Sequence, residues 1–556
     1  MKFKKVIALI AACTTMATLF VGCGANNATN SSTVSSEKET QAVESEATAS
    51  TAATEDVVEE FAYPMDGKTI TVTGYLSSNV KKTAENKAET DFGKALEEAT
   101  GIAAEWTHDT GSTDEWFNMM FAEGKYTDVI MYEFDNKYPG GLSAANADNI
   151  AIRLNDVIDQ HMPNFKAWME ANPDLVAHLV DENGNIYGIP AINEPGATTT
   201  NGIIIRQDWL DALKLPMPTT INEWHDTLVA MKDAYGVAPI VAQANQFLKR
   251  GAIVNAYVPL CSGNNRFSVN ADGEVQYTLA TDAYREYLTV MAQWYDEGLF
   301  NKDFVTLDDN TIKAMMLNNE VGVTWGLGGS GIQNMMIDAE TANPELNLVA
   351  APTAVKEKGD EVVYNSAGNE LAAMRAVITS ACEDVEAAAR WLDYFWSEEG
   401  YMLYNFGEEG VTYTMENGVP TYTDLILNNP DGLTSSEALA KYAGVSASSY
   451  TAVTSADYLI GYYSPVPQAA DAIATWGATG VGTYTLYGMK LTTEESEKFA
   501  TVSTELNTYA DEMVVKFVIG TEDIDTKWDE YVANCKKFKM DEAIAIQQAA
   551  YDRLYK

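Results

Sequence analysis

Between residues 68 and 134 the apolar pattern of the chain changes period repeatedly, and that rhythm restricts the fold more than any other feature. KTITVTGY (68–75) alternates with a period of two, as a strand does. Residues 88–99 read as a helix closed by Gly101, whose missing Cβ suits a left-handed cap. Residues 102–107 form a second strand, and 112–123 a helix with Trp116, Met119, Met120 and Glu123 at helical spacing. TDVIMYEF (127–134) is a third strand of the continuously apolar, buried kind. Strands alternating with helices predict an α/β fold with a parallel sheet and right-handed crossovers. Ligands of open sheets sit beyond the carboxyl ends of the strands. Tyr75, Tyr132 and Asp135, at the ends of the first and third strands, are therefore candidate site residues.

Further along, 203–205 is a short buried strand, and Thr220 with Glu223 forms a capping-box pattern ahead of Trp224, Leu228 and Met231 on one helical face. Residues 281–298 read as an amphipathic helix with Tyr284, Leu288, Met291 and Tyr295 inward. Strand 321–325 runs into Gly326-Leu-Gly-Gly-Ser-Gly331, strand 371–378 follows, and 386–406 is helical, its Trp391 and Trp396 assigned to the core. From Thr492 onward the tail is mostly helical, and there is no internal repeat.

Ahead of this body lies a different kind of chain. Lys2, Lys4 and Lys5 precede a 16-residue apolar run that is too short to span a bilayer and reads as a secretory signal. The Gly22-Cys23 junction resembles the lipobox of bacterial lipoproteins, with Phe20 where Leu is usual, so Cys23 is expected to be lipidated. Residues 24–62 are Ser, Thr, Ala and Glu with few large apolar side chains, a composition that predicts a disordered stalk. As a coil it holds the body roughly 35 Å from the membrane. The formal charge is −44, and about −47 without the signal lysines, which repels nucleic acid and anionic membrane surfaces and suits an uncharged or cationic ligand, while leaving room for a local basic pocket. Cys261, Cys382 and Cys535 are too few and too scattered for a disulfide framework. They leave room for one bridge and favour buried free thiols.

Four segments carry a family resemblance: RQDWLDALKLPMPTTINEW (206–224), YDEGLFNKDF (295–304), YFWSEEGYMLYNFGEEGVTY (394–413) and KWDEYVANCKKFKMDEAIAIQQAAYDRLY (527–555). In order and spacing they resemble the extracellular solute-binding lipoproteins of ABC-type carbohydrate importers, in the branch that handles oligosaccharides, uronate types included. The resemblance implies a two-lobed periplasmic-binding-protein-like (type II) fold with a hinge and an interlobe cleft. It implies a signal over 1–22, the lipidated Cys23 and stalk over 23–62, lobe one over 64–190 and again over 366–425, lobe two over 191–365, and mostly lobe two with C-terminal helices over 426–556. Carried over by position, Tyr132 and Asp135 line lobe one, with Tyr132 standing where relatives often have Trp. Arg206 lies toward the hinge side of lobe two, Trp325 is a sugar-stacking platform, and Glu370 and Tyr413 enter where the chain returns to lobe one. The partners implied are an oligosaccharide, the transmembrane subunits of an ABC permease, and the membrane through the lipid. The protein is expected to be a monomer on the extracellular face of the cytoplasmic membrane.

Other chemistries find little support. Gly326–Gly331 matches G-x-G-x-x-G, but without a first-strand βαβ context, and no phosphate-cradling P-loop occurs. The histidines (108, 161, 178 and 225) have no zinc spacing. Asp181, Asn183 and Asn185 alternate as calcium-loop ligands do, and some oligosaccharide-binding relatives hold calcium in this region. Here Ile186 replaces the glycine and Glu194 comes two residues late, so an Asn183-Gly184 hairpin turn is favoured and no cofactor is expected beyond a possible structural calcium. Adjacent acid pairs such as Glu398-Glu399 do not make a glycosidase site, which needs carboxyls flanking one bond. The expected function is non-enzymatic capture of an oligosaccharide for import. A lipid-anchored glycoside-active enzyme and a binder of peptides or other solutes are the alternatives.

Overall fold

The structure is a computed structural model. It describes residues 63–556 apart from 66, 110–112, 199, 250–252, 261–265, 363–369, 448–449, 478–485, 487–488 and 490. The signal, Cys23, the stalk and Cys261 lie outside the described residues.

In chain order the strands are β1 (Lys68–Gly74), β2 (Ile102–His108), β3 (Val129–Tyr132), β4 (Ile189–Asn193) and β5 (Asn201–Arg206). Then come β6 (Phe267–Val269), β7 (Val275–Tyr277), β8 (Val323–Leu327), β9 (Leu348–Ala350) and β10 (Leu371–Ile378). The last are β11 (Tyr413–Glu416), β12 (Val419–Tyr422) and β13 (Val453–Thr454). Local chemistry sets several helix ends. Thr90 caps Asp91–Thr100, which closes on Gly101 at φ 70°. The Thr220/Glu223 box starts Ile221–Tyr235, and Thr492/Glu495 starts Thr493–Val518. The helical stretch expected over 386–406 is two helices, Val385–Tyr394 and Glu398–Phe406, because the Ser397 side chain caps the second.

Two sheets organise the body. The larger has the order β13-β4-β10-β3-β1-β2 and the smaller β8-β5-β9, with β6-β7 and β11-β12 as separate hairpins. The expectation of a parallel sheet is met only in part. β2, β1 and β3 are parallel neighbours, as are β13 and β4, whereas β10 runs antiparallel to both β3 and β4. The smaller sheet is antiparallel throughout. The reason is non-local: β10 returns from the other lobe, and no αβ crossover dictates its direction.

Each sheet has its own core. Ile70, Val72, Met131, Ile189 and Ala376 pack against Trp391 and Phe165 on one face of the larger sheet, while Ile130, Tyr132 and Val377 pack with Phe117 and Phe134 on the other. In β5 the alternation sends Ile203 and Ile205 toward Trp209, Trp224 and Trp294, and Ile204 toward Leu348 and Trp476. The C-terminal helices add Phe517, Trp528 and Tyr531 to the first of these clusters. The result is an α/β molecule of two lobes with a cleft between them, and residues 62–556 remain one compact unit. Cys382 and Cys535 are free thiols, and Cys535 is buried.

Candidate functional site

The carboxyl ends of β1, β2, β3, β4 and β13 and the start of β10 all lie on one edge of the larger sheet, as the registers require. The chain leaves this edge for the smaller sheet after β4, returns to it ahead of β10, and leaves again after β13. Those three segments are bonded side by side. Asn193 N–H donates to the Glu370 carbonyl at 2.6 Å and Glu194 N–H to the Thr454 carbonyl at 3.0 Å. The Glu194 carboxylate accepts from Tyr401 Oη at 2.9 Å and from Ala456 N–H at 2.8 Å. Buried Asn405 completes the bundle by donating to the Tyr401 and Val453 carbonyls and accepting from Ser455 N–H. This is the hinge.

Beside it, the ends of β1 and β3 build an aromatic and charged wall. The half-buried Tyr75 ring lies 6.3 Å from Tyr132 and 5.3 Å from Phe117. Tyr132 is 1% exposed and stacks on Phe117 at 4.3 Å, so its ring backs the wall rather than facing a ligand. Lys137 Nζ sits 5.6 Å from the Tyr75 ring centre and 3.5 Å from its hydroxyl, and donates to Asp114 at 2.8 Å with Glu133 at 3.8 Å. Asp135 is paired with Arg375 at 2.8 Å. Burial raises the pKa of the Tyr75 hydroxyl far above its usual range, and the Glu133, Asp114 and Asp109 carboxylates push it the same way. Tyr132 is pushed up to about 12, by burial first and Tyr75 second.

The expected site residues fare differently. Tyr75, Tyr132 and Asp135 come together, and Glu370 stands on the same sheet edge with its backbone in the hinge. On the facing lobe, Trp325 pairs with Ile203 two residues short of the end of β8, and at 8% exposure most of its ring belongs to the core. Arg206 is a correction. It ends β5 at the side away from the crossings, roughly 16 Å from Asn201. It is 2% exposed, its guanidinium donates to both Asp208 oxygens, Asn319 Oδ1 and the Met316 carbonyl, and it lies over Trp209. A buried cation needs such partners, and this one has none of those bonds to offer a ligand. Tyr413 is likewise a core ring, 5% exposed and packed with Phe406 at 5.7 Å on the smaller-sheet side.

The calcium candidates do not fit a cation. Asp181 accepts from Asn183 N–H, Asn185 N–H, Asn185 Nδ2 and Tyr187 Oη, which occupies both carboxylate oxygens. Arg153 Nε donates to Asn185 Oδ1, so a guanidinium already supplies positive charge there. The segment is a tight turn with Gly184 at φ 77°, followed by β4 rather than by a hairpin partner. Among the described residues no group of three His, Cys, Asp or Glu is placed to hold a metal.

Sequence reasoning missed Lys137, Asp114, Glu133 and Arg375 as parts of the wall, and Glu194 and Asn405 as parts of the hinge. Their positions carry no local signal. It also missed Trp476, whose indole lies 2.3 Å from where a Cβ on Gly202 would stand, so the hinge end of β5 requires glycine. Nor does sequence mark Lys87, fully buried with its Nζ 4.6 Å from the centres of the Trp106 and Tyr450 rings. Burial holds its pKa well below the ordinary lysine value.

Comparisons agree with this architecture. The family model for bacterial extracellular solute-binding proteins matches residues 78–402. A fructooligosaccharide ABC transporter substrate-binding protein, FusA of Streptococcus pneumoniae serotype 4, is 24% identical over 82% of this chain and 86% of its own length. Lipoprotein LipO of Bacillus subtilis is 26% identical over 63% of this chain and 69% of its own. The crystal structure of the alginate-binding protein AlgQ2 without calcium superposes with a TM-score of 0.69 at 23% identity, over 88% of this chain and 98% of that one.

Proposed function

The chain belongs to the bacterial extracellular solute-binding proteins, and from that membership we propose that it captures an oligosaccharide between its lobes and delivers it, unaltered, to an ABC permease. The observation that carries the reading is the family match over a fold whose crossing-bearing strand ends meet at one cleft. FusA is named for fructooligosaccharide and AlgQ2 for alginate, which supports a glycan ligand. Tyr75 is the stacking ring on lobe one, backed by Tyr132, with Asp135, Glu133 and Glu370 as acceptors for sugar hydroxyls. Trp325 closes the site from lobe two. Hydrogen bonds inside a closing, water-excluding cleft discriminate because a wrong ligand leaves them unmade. The protein is held as a monomer outside the cytoplasmic membrane by lipid on Cys23. LipO, a lipoprotein by name, supports that anchor, and among the described residues no helix is long and apolar enough to cross a membrane.

Calorimetric titration with a glycan panel, followed by chromatography of the ligand, tests the reading. The expected result is saturable heat with one glycan class and a ligand recovered intact. Shortened products would make the protein an enzyme, and heat with peptides alone would reassign the ligand. Tyr75→Ala should weaken binding by roughly 1–3 kcal/mol, the scale of one stacking ring. Unchanged affinity in a folded variant removes Tyr75 from the site.

A further inference from the structure

We infer that the cleft takes an uncharged glycan and rejects uronate chains, because the cations built into its lobe-one wall are already neutralised by carboxylates of the same wall. The inference rests on the capture reading and specifies its ligand. Lys137 Nζ is held by Asp114 at 2.8 Å with Glu133 at 3.8 Å. Arg375 donates to Asp135 at 2.8 Å and to the Ala372 and Met374 carbonyls. On the facing lobe, the Arg206 ion pair with Asp208 is buried at the far end of β5. Lys87 is buried behind its two aromatic rings, and beside it Asp109 accepts from Leu76 N–H. Asp114, Glu133 and Asp135 therefore stand against Lys137 and Arg375 around the ends of β1 and β3, and Asp109 stands beside Lys87.

Lys81 and Lys82, further along from β1, are exposed, where water and salt screen a charge beyond about 8 Å. A uronate carboxylate entering a closing cleft loses its hydration and needs a desolvated cation in return. Here it would meet carboxylates instead, and like charges brought together are a direct source of discrimination. Neutral sugars face the opposite situation: their hydroxyls donate to Asp114, Glu133 or Asp135, and ionised acceptors make the stronger hydrogen bonds. The negative surroundings of Tyr75 agree with this, since three carboxylates act on its hydroxyl.

Titrating the full mature chain with neutral oligosaccharides (fructo-, malto-, xylo- and manno-) and with oligogalacturonate and oligoalginate, at low and at physiological salt, tests the inference. A neutral chain should bind at both salt concentrations, and both uronates should fail even at physiological salt, where screening weakens the repulsion. Freeing Lys137 in the double variant Asp114→Asn, Glu133→Gln should raise uronate affinity by at least about tenfold, some 1.4 kcal/mol. Wild-type preference for a uronate, or no gain in a variant that keeps its melting temperature, overturns the inference and leaves glycan capture standing. Failure of every glycan, neutral or acidic, overturns capture itself and this inference with it.

Discussion

Asp393 shows how one residue can serve an element it does not belong to. It sits on helix Val385–Tyr394 at 0% exposure, and its carboxylate accepts from Phe165 N–H at 2.8 Å and from Asn164 N–H and Nδ2 at 3.3 and 2.8 Å. Those amides open helix Pro163–Ala171, whose own preceding residue, Met162, supplies no side-chain cap. Asp393 therefore caps a helix more than two hundred residues away in sequence. Burial outweighs those bonds and raises its pKa to about 6. Because the folded chain then holds the proton more tightly than the unfolded chain, this group's contribution to stability is greatest below about pH 4 and falls as the pH rises to about 6. The unfolding free energy of the wild type relative to Asp393→Asn should drop by roughly 3 kcal/mol across that window. Denaturant melts of both proteins at pH 4 and pH 7 measure it, and a pH-independent difference contradicts it.

At the scale of elements, capping separates what neighbours in sequence can arrange from what the fold must arrange. The Thr220/Glu223 box joins residues three apart and is legible in the sequence. The cap that Glu194 gives helix Ala456–Tyr463 joins residues 262 apart and is not. That second cap ties the first crossing to the third, and Gly196 allows the close approach, since a Cβ there would lie 2.8 Å from the Ala456 Cβ. Replacing Glu194 by Ala takes the acceptor away from both Tyr401 Oη and Ala456 N–H. The expected cost is about 1–3 kcal/mol, the penalty of leaving half-buried donors without their acceptor. Amide exchange at Ala456 should quicken in the variant. Protection equal to wild type means that Glu194 does not hold the crossings together.

Across the whole molecule, the lobes also touch away from the hinge. The Tyr555 ring, on the last helix of the smaller-sheet lobe, meets His178 of the other lobe edge-on, with centroids 6.4 Å apart. Such a contact stabilises whichever arrangement of the lobes makes it, and only contacts that differ between open and closed forms move that equilibrium. Tyr555→Ala should lower ligand affinity by up to about tenfold without touching the ligand, the effect of shifting a two-state balance by some 1.4 kcal/mol. Small-angle scattering of the unliganded variant should show a larger radius of gyration than the wild type, and compaction when ligand is added. Identical profiles for the two proteins, with and without ligand, would mean that the contact has no part in closure.

Read alone, the sequence determined β1, β5, β8 and β10, the box at Thr220, the helical tail from Thr492, the αL cap at Gly101 and the core placement of Trp391. These follow from interactions between residues a few positions apart, which periodicity and capping rules describe. The tertiary structure alone decided that β10 runs antiparallel, that Arg206 is bonded into a core, that Tyr132 backs the wall while Tyr75 borders it, and that each wall cation already has its carboxylate. Each of these depends on partners brought together from distant parts of the chain. Burial and pairing, not residue type, determine whether a charged or aromatic side chain can reach a ligand.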